Sequence, residues 1–180
     1  MARNADRTRA RILDAATAEF SARGIAGARV DRIADAAGCN KALLYSYFGN
    51  KDQLFDAVFA ALVARIVAEH PIDAEHLDEY AGALVDSYLE RPELVRIGLW
   101  DRLERGGAGM RSPELQATDA GKVAAIADAQ AAGAVSSRFG ADEVLALVTV
   151  LAAILPVVLD HPADARIRKM VTTAVTRLVS

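Results

Sequence analysis

Cysteine is nearly missing from this chain: Cys39 is the only one in 180 residues. No intrachain disulfide can form, and a reducing compartment such as the cytoplasm fits best. Cys39 itself reads as a space-filling residue in a turn. Aromatic residues make up 6% of the chain and prolines number five, so little in it breaks a helix. No long hydrophobic run reaches the length of a bilayer span. The longest, 144–159, contains Thr149 and Pro156 and reads as a buried helix kinked at the proline. The first residues lack the apolar core of a secretory signal. A cytoplasmic protein with no membrane partner is therefore expected. His70, His76 and His161 stand apart, without a second ligand at metal-binding spacing. No nucleophile elbow, phosphate loop or metal motif occurs, so neither catalysis nor a cofactor is expected. Asp101 and Glu104 form an apparent acid/base pair, but on a charged helix face they read as partners of Arg102 and Arg105.

What is present is helix-forming material. Hydrophobic residues reach 53%, dominated by alanine, leucine and valine, against 25% charged. The formal net charge is −3, which by itself points to no nucleic-acid partner. Its distribution does. Residues 1–51 hold nine Arg and Lys against five Asp and Glu, a balance of +4, whereas 52–180 hold the other twelve basic and nineteen acidic residues, a balance of −7. A basic head on an acidic body is the arrangement expected of a DNA-facing segment.

Apolar spacing divides the chain into about nine helices with no convincing strand, an all-α class. The first is expected over 6–22, with Ile12, Leu13, Ala16 and Phe20 inward and Arg23-Gly24 as its stop. Two short helices follow, 30–37 and 41–47, the first closed by Gly38 and the second capped by Asn40. Asn50 caps a fourth, 51–69, with Leu54, Val58, Ala61, Leu62 and Ile66 as its stripe. Further helices are expected over 74–90, 92–104 with Pro92 at its first position, 113–132 after the Ser112 cap, 141–160 and 163–179.

Two short helices joined by a tight glycine turn make a helix-turn-helix pattern. Ala34, Ala37 and Gly38 are small where the helices must touch, while Leu44 and Phe48 point back to the core. Lys41, Ala42, Tyr45 and Ser46 are left to face outward, toward a major groove. Lys51, in the first turn of the fourth helix, conflicts with the helix dipole unless an anion such as a phosphate sits there.

The stretch 27–54, with its glycine turn, its Leu-Tyr-Ser-Tyr-Phe run and the Asn-Lys-Asp-Gln-Leu start of the next helix, closely resembles the DNA-binding domain of the tetracycline-repressor (TetR) family. The resemblance extends over roughly 8–66. It implies a DNA-binding domain at 1–50 and a ligand-binding and dimerisation domain at 51–180. It implies further that Lys41, Ala42, Leu43, Tyr45 and Ser46 face bases of a double-stranded operator. Tyr47 and Lys51 would meet its phosphates. Arg29 stands where the family usually has a capping Thr or Ser, so that cap is lost or replaced, and Arg29 becomes a further candidate phosphate contact.

In the body, Tyr80, Leu84, Tyr88, Leu99, Trp100, Leu103 and Met110 are candidates to line a pocket between helices for a small-molecule effector. The run 144–159 is apolar nearly all round. With the last helix it could build an intersubunit bundle through Leu147, Leu151, Ile154, Val158, Met170, Ala174 and Leu178, though both helices could equally pack within one chain. The expectation is a homodimeric repressor released from a palindromic operator by an effector. The alternatives are an effector-independent architectural DNA-binding protein, or an all-helical enzyme or carrier with a helix-turn-helix-like head.

Overall fold

The computed structural model describes residues 2–159 and 165–180. His161 and the expected ends of the last two helices at Asp160 and Ala163 lie outside the described residues. Among the described residues there are nine α-helices and no strand: α1 Ala2–Gly27, α2 Val30–Ala36, α3 Lys41–Phe48, α4 Lys51–Glu69, α5 Leu77–Glu90, α6 Glu93–Arg105, α7 Pro113–Ala131, α8 Ala141–Val158 and α9 Ala165–Val179. Pro92 falls in the turn before α6 rather than at its first position.

The short-range signals act as expected. Asn40 accepts from the Leu43 amide at 2.8 Å and Asn50 from the Gln53 amide at 2.9 Å, so each caps its helix. Ser112 caps α7 by accepting from Leu115 at 3.3 Å. Gly38 adopts φ 62, a left-handed conformation that lets Cys39 return its amide to the Ala34 carbonyl at 3.0 Å.

The chain divides into two units. The first comprises the chain up to Ala64 together with Arg96–Arg111; the second comprises Arg65–Val95 together with the chain from Ser112 on. In the first unit the apolar faces of α1 to α4 enclose Ile12, Phe20, Ile33, Leu44, Leu54 and Phe55. Phe20 and Phe55 meet edge to face, centroids 5.2 Å apart. Phe55 and Phe59 also belong to the buried stripe of α4, whereas Ala61, expected there, is exposed.

The regular run of α1 is broken at Gly24, the stop expected from the sequence, where φ 71 and ψ −179 leave the helical region; a short further turn carries the element on to Gly27. That break frees the amides of Ile25 and Ala26, and the Glu104 carboxylate on α6 accepts from both, at 3.1 and 2.6 Å. Trp100 joins in by donating its indole N–H to the Ser21 carbonyl at 3.2 Å. Asp101, fully buried, accepts from the Gly109 amide at 3.0 and 3.1 Å and from Met110 at 3.3 Å, closing the turn after α6. The expectation that Asp101 and Glu104 serve Arg102 and Arg105 on a charged surface is therefore corrected for Glu104 and for the surface, while the ion pair of Asp101 with Arg105 is present. Both carboxylates hold backbone amides; Arg105 lies 3.7 Å from Asp101 and pairs at 2.7 Å with Asp56 on α4.

The second unit has its core between α5, α7, α8 and α9, around Leu77, Leu84, Val85, Ile126, Val148 and Val171. The α8 helix is not the buried helix expected from its apolar run. Val144, Leu145, Val148 and Ala152 are buried, but Leu147, Val150, Val157 and Val158 are exposed. By length and composition alone, this 18-residue helix would reach across a bilayer. It continues through Pro156, which removes the amide that would bond the Ala152 carbonyl.

A Cβ at Gly24 would come within 2.4 Å of Glu104 Oε1 and 3.0 Å of the Trp100 ring, in a conformation that side chains resist. Gly24→Ala is expected to destabilise the first unit by about 1–3 kcal/mol, read as a lower midpoint in thermal denaturation. An unchanged midpoint would show that this junction tolerates crowding.

Candidate nucleic-acid interface

The three helices of the helix-turn-helix are held at their junctions by charged groups anchored to backbone. Glu19 on α1 is the hub. Its carboxylate accepts from the Arg32 guanidinium at 2.7 Å and from the Arg29 amide at 3.0 Å, with Arg23 at 3.5 Å. Burial alone would raise its pKa; the bonds from Arg32 and the Arg29 amide outweigh that and hold it below its ordinary value. Arg29, the residue before α2, gives no side-chain cap. Part of the lost cap is replaced from another helix, because Glu19 takes the Arg29 N–H. Arg11 reaches from α1 to the Gly38 carbonyl at 3.2 Å, fixing the turn, and Arg9 lies over the Phe48 ring at 5.3 Å.

On this frame α3 turns Leu44 and Phe48 inward and leaves Lys41, Ala42, Leu43, Tyr45 and Ser46 exposed on one surface. Leu43 is 40% and Tyr45 42% exposed, high for such large side chains in a helix of eight residues. The Ser46 hydroxyl donates to the Leu43 carbonyl at 2.7 Å, so toward a base it is left as an acceptor. Tyr47 is half-buried beside Phe48, centroids 6.2 Å apart, and its hydroxyl makes no hydrogen bond among the described residues.

The three cations singled out in the sequence, Arg29, Lys41 and Lys51, are already engaged. Lys41 pairs with Asp31, which also draws Arg29 to 3.5 Å. Lys51 donates to the carbonyls of Ala26 and Ala28, at 3.4 and 3.2 Å, and so ties the start of α4 to the end of α1. The conflict of Lys51 with its own helix dipole is thus relieved in part within the chain. Glu19 and Asp31 escaped the sequence reading. Their only trace there is the i,i+4 spacing of Glu19 and Arg23; nothing local reveals that Asp31 faces Lys41.

The other candidates separate. Tyr80 and Leu84 are buried and Tyr88 half-buried in the second unit, whereas Leu99, Trp100, Leu103 and Met110 belong to the first. Leu103 is 74% exposed, and Trp100 is engaged at the α1 break. Of the α8 and α9 residues, Leu147, Val158 and Met170 are exposed while Leu151, Ile154, Ala174 and Leu178 are half-buried. Between them Ile167, Val171 and Val175 turn into the unit's own core. Among the described residues no cluster of His, Cys, Asp and Glu could hold a metal ion.

Comparison with known proteins gives one consistent result. Residues 12–58 match the model of bacterial regulatory proteins of the tetR family. Residues 76–177 match that of tetracyclin repressor-like C-terminal domains. The HTH-type transcriptional repressor SCO4008 of Streptomyces coelicolor is 39% identical over 152 residues, covering 84% of this chain and 79% of its own length. The HTH-type transcriptional repressor NicS of Pseudomonas putida is 31% identical over 148 residues, covering 78% and 70%. The solved structure of SCO4942 from Streptomyces coelicolor is 36% identical, with a TM-score of 0.84 over 96% of this chain and 98% of that one.

Glu19 provides a test of the frame. Its pKa is lowered in the folded state, so its contribution is present above its ordinary value of 4.5 and fades as pH falls through the lowered one. Wild type is expected to be more stable than Glu19→Gln near neutral pH, with the gap closing below about pH 4.5. A gap that stays constant across acid titrations monitored by circular dichroism would remove Glu19 as the hub.

Proposed function

This chain belongs to the TetR family of bacterial regulatory proteins and is a DNA-binding transcriptional regulator of the repressor type; from that premise we propose that it acts as a homodimer on a palindromic operator and is released by a small-molecule effector. The observation that carries the DNA-binding geometry is the surface of α3, where Leu43 and Tyr45 stand exposed among small and polar side chains over a sealed inner face. In this reading residues 1–50 form the DNA-binding domain and 51–180 the domain for ligand and partner.

Lys41 reads guanine O6 or N7 once it leaves Asp31, and Ala42 and Leu43 offer apolar contact to thymine methyls. Tyr45 and Ser46 complete the base-facing set. Tyr47, with a free hydroxyl, meets a phosphate. Arg29 and Lys51 do so at the ends of α2 and α4, Lys51 while also holding α1. Asp31 then has a discriminating role: it holds Lys41 and Arg29 back from non-specific phosphate until a base or backbone group of the right geometry competes.

The partner subunit is placed on α8 and α9, through Leu147, Leu151, Ile154, Val158, Met170, Ala174 and Leu178. Support comes from the exposed leucine, valines and methionine that one chain leaves there, which a two-fold related copy would cover. The effector is placed in the second unit beside Tyr80, Leu84 and Tyr88. It releases DNA only by as much as it prefers another state of the dimer. Since its relatives are regulators and its partner is DNA, the chain is read as a cytoplasmic protein without catalysis of its own.

Selection of bound duplexes from a random pool is expected to return a two-fold symmetric sequence with half-sites about one helical turn apart. Lys41→Ala is expected to lose about 1–3 kcal/mol at one base position and little elsewhere; a uniform loss over all operator variants would deny Lys41 a base-reading role. For the dimer, Val158→Asp puts a charge at a position 68% exposed in one chain. Sedimentation is expected to shift toward monomer with helicity retained, and an unshifted dimer rules out this surface.

A further inference from the structure

Every Arg and Lys between residues 12 and 51 is engaged within the chain. Arg23 and Arg32 pair with Glu19, Arg29 and Lys41 with Asp31, and Lys51 holds two carbonyls. The arginines of α1 that precede Ile12 differ. Arg7 has no hydrogen bond and no ion pair among the described residues. Arg9 has only the Phe48 ring beneath it, 5.3 Å from the guanidinium carbon to the centroid, so its N–H donors stay unused. Arg11 spends one N–H on the Gly38 carbonyl at 3.2 Å. All three side chains are exposed.

The stretch that bears them takes no part in the core. From Asn4 to Arg11 every residue is exposed except the half-buried Thr8, and packing begins at Ile12. At about 1.5 Å per residue this is roughly 12 Å of helix that buries nothing. Its charge is concentrated: residues 1–11 balance to +3 with Asp6 as their only acid, whereas 12–51 balance to +1. Asp14, the next acid, is exposed two turns beyond Arg7, and neither carboxylate pairs with an arginine. Most of the head's positive charge therefore stands free on one exposed helical stretch.

That stretch is continuous with the surface proposed to meet DNA. Arg11 fastens it to the turn that leads into Lys41. Arg9 stacks on Phe48, and Tyr47, assigned above to a phosphate, lies beside that ring with centroids 6.2 Å apart. Guanidinium groups with spare donors suit phosphate oxygens, which accept from them in pairs. A duplex presents such oxygens along both rims of the groove that a recognition helix enters, where contacts position the protein without reading sequence.

We propose that the exposed start of α1 is a second DNA-contacting surface, on which Arg7 and Arg9 grip backbone phosphates beside the groove that α3 enters. The assignment rests on the reading of α3 as the groove-facing helix and adds to it a contact without base preference.

The test is fluorescence anisotropy of the full chain across a salt series, on the selected operator and on a scrambled duplex of equal length. Arg7→Ala is expected to make the slope of log affinity against log salt shallower by about one. Arg7→Ala with Arg9→Ala is expected to make it shallower by about two, on both duplexes alike. The gap between wild type and the double variant then narrows about tenfold between roughly 50 and 200 mM salt. Arg7→Lys with Arg9→Lys keeps the charge and is expected to keep the slope. Arg9→Ala also removes the stack on Phe48, so Arg7→Ala alone decides if circular dichroism shows that the double variant has lost helix. An unchanged slope in Arg7→Ala, or a loss confined to one base position, would overturn the proposal. So would an unchanged slope with sedimentation shifted toward monomer, which sets the arginines against the acidic body of a second copy. Base selection separates the two readings. Shallower slopes with a base preference unmoved by Lys41→Ala uphold this surface and sink the reading of α3. A base preference that follows Lys41, with slopes unchanged in the arginine variants, does the reverse.

Discussion

The break in α1 at Gly24 is the constraint on which the first unit depends. A helix interrupted there strands two backbone amides, and amides left without partners in a folded interior are costly. Glu104 accepts both, and Trp100 bonds the carbonyl of Ser21 one turn earlier. From Arg96 on, α6 therefore belongs to the first unit through its hydrogen bonds and not only through packing. Asp101 and Arg105 extend the same fastening, one to the turn after α6 and one to α4. The tight junction explains why position 24 is glycine: the chain needs a left-handed φ there and has no room for a Cβ.

Around that fastening the head is arranged so that charge supports geometry. Glu19, Arg32, Arg11 and Lys51 each bond to backbone of a neighbouring helix or turn, which fixes α2, the turn and α3 relative to α1. Basic residues in such a head are commonly assigned to DNA, yet several here hold the scaffold together. The recognition surface proposed here is then left to α3, whose outward side chains are Lys41, Ala42, Leu43, Tyr45 and Ser46. Asp31 sets a carboxylate beside Lys41 and Arg29 on that surface.

How much of this was legible in the sequence follows from the range of each interaction. Asn40, Asn50, Ser112 and Gly38 act within four residues of themselves, and their roles were read correctly from the pattern alone. Leu44 and Phe48 against Tyr45 and Ser46 followed from helical periodicity. Asp101 pairs with Arg105 as its spacing suggests, but its burial and the amides it bonds were not legible, and Glu104 was misread because the amides it holds lie nearly eighty residues away. Ala61 was misplaced because Phe55 and Phe59 offer the bulkier stripe. The seven pocket candidates share apolar or aromatic character but not a unit.

The first unit is built from two separated stretches of chain, with Arg65–Val95 between them belonging to the other. During synthesis, α1 to α4 leave the ribosome long before the carboxylate that completes α1. The head is thus assembled in two instalments, and the stranded amides of Ile25 and Ala26 wait for Glu104 to arrive. A fragment ending at α4 would contain every residue proposed to touch DNA and still be unfinished as a folding unit.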